Sequence, residues 1–113
     1  MKGLIIKPCW ADLILSGEKT VEIRGSNTKI RGTIGIIKSK SGSVFGTVDL
    51  YDSVFLTKEL YEELRGSHRV GNSYEELLKI YPKPYGWCFK NTVKYDKPLK
   101  YNHKRGCVIW VNL

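Results

Sequence analysis

No stretch of this 113-residue chain has the length of apolar sequence needed to cross a bilayer. The apolar run near its start, GLII, is broken by Lys7 and Pro8 and is too short for the core of a secretory signal. Both absences predict a soluble protein, expected in the cytoplasm. Cysteine is scarce as well: Cys9, Cys88 and Cys107 are an odd number with no close pair. That argues against a disulfide framework and suits free thiols in a reducing compartment. Together with His68 and His103 they show no paired ligand spacing, so neither a metal nor a cofactor is expected. There is no glycine-rich phosphate loop, no regular βαβ alternation, no internal repeat and no long linker. No nucleophile, base and orienting group stand together in the sequence either.

Negative charge is also in short supply. Eleven Asp and Glu face nineteen Lys and Arg, giving a net charge of +8. Such an excess favours polyanionic partners: RNA, DNA, nucleotides or acidic membrane surfaces. What is present otherwise is ordinary for a globular protein, with 42% hydrophobic and 27% charged residues. A chain of this size buries roughly two-thirds of its unfolded surface, enough for one core without staples. Residues 1–113 therefore read as a single domain.

Residues 3–7 read as a short buried strand. Pro8 suits the first turn of a helix, Trp10, Leu13 and Ile14 recur at helical spacing, and Gly17 is a natural stop. A strand follows over about 20–24, then a basic turn, a strand over 31–40, the hairpin signal KSGS and a long strand over 43–56 with a bend expected at Gly46. Thr57 and Asn72 or Ser73 are N-cap candidates for two helices spanning 57–65 and 72–80, separated by the basic loop SHRVGN. YGWCFKNTVKY reads as a long strand and CVIWVNL as the last. Between them DKPLKYNHKRG is a basic connection with room for a short strand at 99–101. The sum is an α+β fold: about six short, bent strands in a small barrel or strongly curved sheet, one early helix and a central helical pair over 57–80.

The stretch GEKTVEIR concentrates the chemistry. Alternation along the strand puts Val21 and Ile23 on one face, expected inward, and Thr20, Glu22 and Arg24 on the other, expected outward. Lys19, at the corner before the strand, can swing over that polar face. The plain reading is a solvated face with a weak surface ion pair.

The pattern G-x-K-x-x-E-x-R, carried by Gly17, Lys19, Glu22 and Arg24, resembles the signature of the ASCH domain family. The surrounding order is similar too: a strand ending at Lys7, then Pro8 and a helix with Trp10, then Ser16-Gly17 and the signature strand. Glycine-bearing strands and the late YGWCF segment extend the resemblance over most of the chain. It implies a small PUA-like β-barrel whose signature residues line a cleft for RNA or a modified nucleoside. Lys19 and Arg24 suit a phosphate or a base carbonyl, and Glu22 suits an amine or ring N–H. Substituting Glu22 or Arg24 by alanine is then expected to abolish binding and leave the melting temperature nearly unchanged.

Aromatics are the second ingredient of such a site. Trp10, Tyr85 and Trp87 are candidates to stack on a base, Tyr85 and Trp87 because they are two apart on a strand. Trp10 also shares a helical face with Leu13 and Ile14, which suits a core anchor. Basic segments at 65–69 and 94–105 are candidates to track a phosphate backbone.

The resemblance also implies an enzymatic alternative. One related branch hydrolyses acylated cytidines with a Lys that aids a Thr nucleophile. Lys19 matches the Lys, but Glu22 stands at the Thr position, and Thr20 is not the matching residue. Ribonuclease action has been suggested within the family, with His68 and His103 as acid and base candidates here. If the chain is an enzyme, Lys19 and Glu22 are its catalytic candidates. The expectation is nonetheless a binding site rather than an active site.

Overall fold

The computed structural model describes all of residues 1–113. In chain order the elements are β1 (Lys2–Ile6), α1 (Pro8–Leu15), β2 (Val21–Arg24), β3 (Gly32–Lys38), β4 (Ser43–Phe55), α2 (Lys58–Glu63), α3 (Arg65–His68), α4 (Tyr74–Ile80), β5 (Tyr85–Lys100) and β6 (Trp110–Asn112). The fold is α+β, as expected from the sequence. Six strands form one sheet in the order β2-β5-β4-β3-β1-β6, with β1 and β3 parallel and every other pair antiparallel.

The sheet curls into a half-barrel. Trp87 of β5 stacks on Trp110 of β6 at 5.7 Å, although the two strands lie near opposite ends of the strand order. Curling requires bends. Register shifts interrupt the β4–β5 ladder at three places, one of them between Val44 and Gly46. At Gly46 the two backbones approach so closely that a Cβ would collide with the Val93 carbonyl oxygen and the Leu15 side chain.

The main core lies inside the curl. α1 starts with Pro8 at its first position, and Gly17 ends it in a left-handed conformation (φ 84°). It packs Ala11, Ile14 and Leu15 against Leu4, Ile6, Ile34, Ile36, Val48, Leu50, Trp87 and Phe89. A second, smaller core joins Ile23 to Leu56, Tyr61 and Leu77, so the central helices cover the other face of β2.

Two elements differ from expectation. The segment after Thr57 holds three helical pieces instead of a pair, because Arg65–His68 makes an extra turn ending at Arg69 in the left-handed region (φ 64°). β5 runs 16 residues and absorbs the front of the expected basic connection, whereas the last strand is shortened to three residues.

Candidate functional site

Lys19, Glu22 and Arg24 meet at the wall of a cavity of about 460 Å³. Its lining includes Ile5 and Ile6 from β1, Lys7 and Trp10 at the start of α1, Ser39 after β3, and Val70, Leu77 and Tyr81 from the helical region. The cavity thus sits where α1, the edge of β2 and the central helices converge.

The outer face of β2 is not the solvated one that its alternation alone would suggest, but forms part of the cavity wall. Lys19 is 1% exposed and Glu22 6%. Alternation does place Val21 and Ile23 opposite Glu22 and Arg24, but both faces are covered. Ile23 packs under the helices, while Glu22 sits directly across the strand pair from Trp87.

A buried ammonium needs partners. Lys19 Nζ donates to the His68 carbonyl oxygen, stands 3.6 Å from Glu22 Oε1, and lies 4.4 Å from the centre of the Trp10 ring. Burial pushes the Lys19 ammonium below its ordinary range, and Glu22 opposes that shift. Glu22 Oε2 accepts from Arg24 Nε at 3.1 Å and has Arg24 Nη2 at 3.0 Å. Arg24 Nη2 also donates to the Ile5 carbonyl oxygen at 3.0 Å, and the guanidinium lies 5.6 Å from the Trp87 ring centre. Two groups stay open: Glu22 Oε1 accepts no hydrogen bond, and Arg24 Nη1 donates none. The row is therefore a carboxylate with one open oxygen held between two cations. A hydrogen-bonding ligand meets an acceptor, Glu22 Oε1, beside a donor, the Arg24 guanidinium, while the Lys19 side chain is closed off behind them.

Of the three aromatic candidates, only Trp10 lines this cavity. Trp87 is buried behind it, with its indole N–H donating to the Ser26 carbonyl at 3.0 Å. Tyr85 is directed elsewhere, edge-on to Phe55 at 5.6 Å. Tyr81 supplies the second aromatic side chain in the lining instead, and its ring lies over the bare backbone of Gly25. It stands four residues after Leu77, a helical spacing that marks it as continuing the covering face of α4.

His68 is the residue whose setting departs most from expectation. Although it falls in a basic stretch, it is fully buried and stacks on Tyr61 at 4.4 Å. Its Nδ1 accepts from the Val70 N–H at 2.9 Å, so Nε2 carries the proton and donates to the Tyr61 carbonyl at 2.9 Å. Both ring nitrogens are occupied, and burial holds the imidazole pKa below its usual value. Its contribution to the site is the carbonyl that receives Lys19. The signal for this is the seven-residue spacing from Tyr61, two helical turns on one face.

Neither hydroxyl nor imidazole of the hydrolytic alternatives is placed in the cavity. Thr20 is exposed and outside its lining, and His103 lines a neighbouring one. No three His, Cys, Asp or Glu side chains cluster as metal ligands, and no helix is long and apolar enough to cross a membrane.

Comparison with known proteins bears on the fold around this site. The family model of the ASCH domain matches residues 4–99. The crystal structure of ASCH from Zymomonas mobilis superposes with a TM-score of 0.70 at 20% identity, over 88% of this chain and 72% of that one. A Tyr-to-Phe mutant of the Zymomonas mobilis protein gives 0.68 at 20% identity, over 88% and 74%. A Ser-to-Ala mutant of it gives 0.70 at 18%, over 99% and 87%. At such identities the likeness is one of fold. No curated protein sequence matches the chain.

Proposed function

Because this chain belongs to the ASCH domain family, we propose that its Lys19–Glu22–Arg24 cavity binds a nucleobase, presented by RNA or by a free, including modified, nucleoside. The observation that carries the reading is the open Glu22 Oε1 between Lys19 Nζ and Arg24. A bare phosphate is a poor occupant for that row, since it would bring its charge against a buried carboxylate. A neutral ring that offers an N–H to Glu22 Oε1 beside a carbonyl oxygen for Arg24 complements it, as the imide edge of uracil does. Trp10 and Tyr81 in the lining supply surfaces for stacking, commonly worth about 1–3 kcal/mol per base. The net charge of +8 draws an anionic chain toward the cavity.

Calorimetric titration with uridine and with its N3-methyl derivative tests the reading. Uridine is expected to bind, and the methylated compound, which lacks the central N–H, to bind at least tenfold more weakly. Equal affinity for the two would remove Glu22 as a base-reading acceptor. Turnover of an acylated cytidine that disappears in Lys19→Ala would replace binding by hydrolysis.

A further inference from the structure

A second cavity of about 560 Å³ adjoins the first and shares Ile5, Ser39 and Val108 with it. Its own lining adds Lys40, Tyr101, His103 and Cys107. Tyr101 is half-buried, with its hydroxyl 2.8 Å from His103 Nδ1 and the two rings edge-on at 5.7 Å. The chain leading into and out of this cavity carries Lys94, Lys97, Lys100, Lys104 and Arg105, all exposed. The molecule's six ion pairs are Lys19–Glu22, Arg24–Glu22, Lys38–Asp12, Lys58–Glu75, Arg65–Glu62 and Arg69–Glu18. None of the five cations, nor Lys40, takes part in one.

We infer that the two cavities form one track for a single-stranded oligonucleotide, the second holding the nucleotide adjacent to the base read by Glu22. This rests on the nucleobase role proposed for the first cavity. A free nucleoside fills one cavity and leaves the other without use. The shared wall at Ile5, Ser39 and Val108 puts the two cavities side by side, within reach of adjacent nucleotides of one strand. Cations lacking anionic partners beside an aromatic ring are the composition that follows a sugar-phosphate backbone, with Lys40 and His103 placed to meet phosphate and the Tyr101 ring to meet a base.

Fluorescence anisotropy with labelled mixed-sequence tetranucleotides, competed by the four nucleoside monophosphates, tests the inference. RNA and DNA tetramers are run in parallel; a preference for RNA assigns a contact to the ribose hydroxyl, and equal binding assigns recognition to base and phosphate alone. The tetramer is expected to bind roughly tenfold more tightly than any monophosphate. The double variant Lys40→Gly/His103→Ala should erase that gain, reduce the salt slope by about one or more, and leave monophosphate affinity alone. Lys40 sits at φ 67° and His103 is exposed, so both replacements suit the fold. Equal affinity of tetramer and monophosphate, or a gain that survives in the double variant, would overturn the track while the first cavity keeps its role. Failure of every nucleotide to bind would overturn both readings together.

Discussion

At the scale of single residues, Glu22 decides how the site is tested. A surface glutamate can be removed at little cost, but this one is 6% exposed and neutralises a lysine that is 1% exposed. Glu22→Ala leaves Lys19 charged and without its carboxylate, so a loss of about 3–5 kcal/mol is expected in chemical denaturation. The expectation that alanine at 22 or 24 leaves the melting temperature unchanged therefore fails on burial, and Arg24 additionally loses its bond to Ile5. Glu22→Gln is the better probe, because it keeps the volume. His68 sets a pH dependence. Its imidazole stays neutral in the fold at pH values where the unfolded chain, with its pKa near the ordinary 6.5, already takes up a proton. The His68 contribution to stability is thus flat above that value and declines as pH falls through it. Denaturation at pH 7.5 and 5.5 checks this, and His68→Gln should flatten the difference. The charges at 19, 22 and 24 were legible in the sequence; their burial was not. A period of two tells which residues share a face, and the cover over that face comes from segments distant in the chain.

At the scale of elements, helix signals read well because they are local. Ser73 accepts from the Glu76 N–H at 3.1 Å, while the Glu76 carboxylate accepts from the Ser73 N–H at 2.9 Å. Ser73→Ala should cost about 1 kcal/mol in thermal or urea unfolding and leave binding unchanged. The extra turn at Arg65–His68 escaped sequence reading because glycine and serine within it look like loop residues. It is held by Tyr61, by the Arg65 guanidinium donating to the Val70 and Asn72 carbonyls, and by its Ser67 carbonyl receiving the Thr20 N–H. Strand ends were poorly legible for a related reason. β5 continues to Lys100 only because β4 offers it a partner as far as Ser43. Gly46 was marked as a bend by its lack of a side chain, and the crowding by Val93 and Leu15 gives that mark a cause. Gly46→Ala is expected to destabilise strongly, by about 2 kcal/mol or more, through overpacking at the curl; the midpoint of urea unfolding reads it.

At the scale of the whole molecule, closure of the curl and completion of the site depend on the same contacts. Arg24 on β2 reaches Ile5 on β1 near the other end of the strand order, and Trp87 meets Trp110 beside that seam. Trp110 is half-buried, so Trp110→Ala should lower stability by about 2–3 kcal/mol and also weaken nucleoside binding, because the Trp87 indole against which Arg24 rests loses its backing. Differential scanning calorimetry with and without uridine separates the two effects. Burial of Lys19 and Glu22 has a consequence that reaches past this one protein. Replacing Lys19, Glu22 and Arg24 together by apolar residues of similar volume removes all the linked charges at once, and such exchanges are often neutral or stabilising by about 1–4 kcal/mol. A lineage that no longer needed the ligand would be free to drift toward apolar residues at 19, 22 and 24 together, since no one of the three can go alone without stranding a charge.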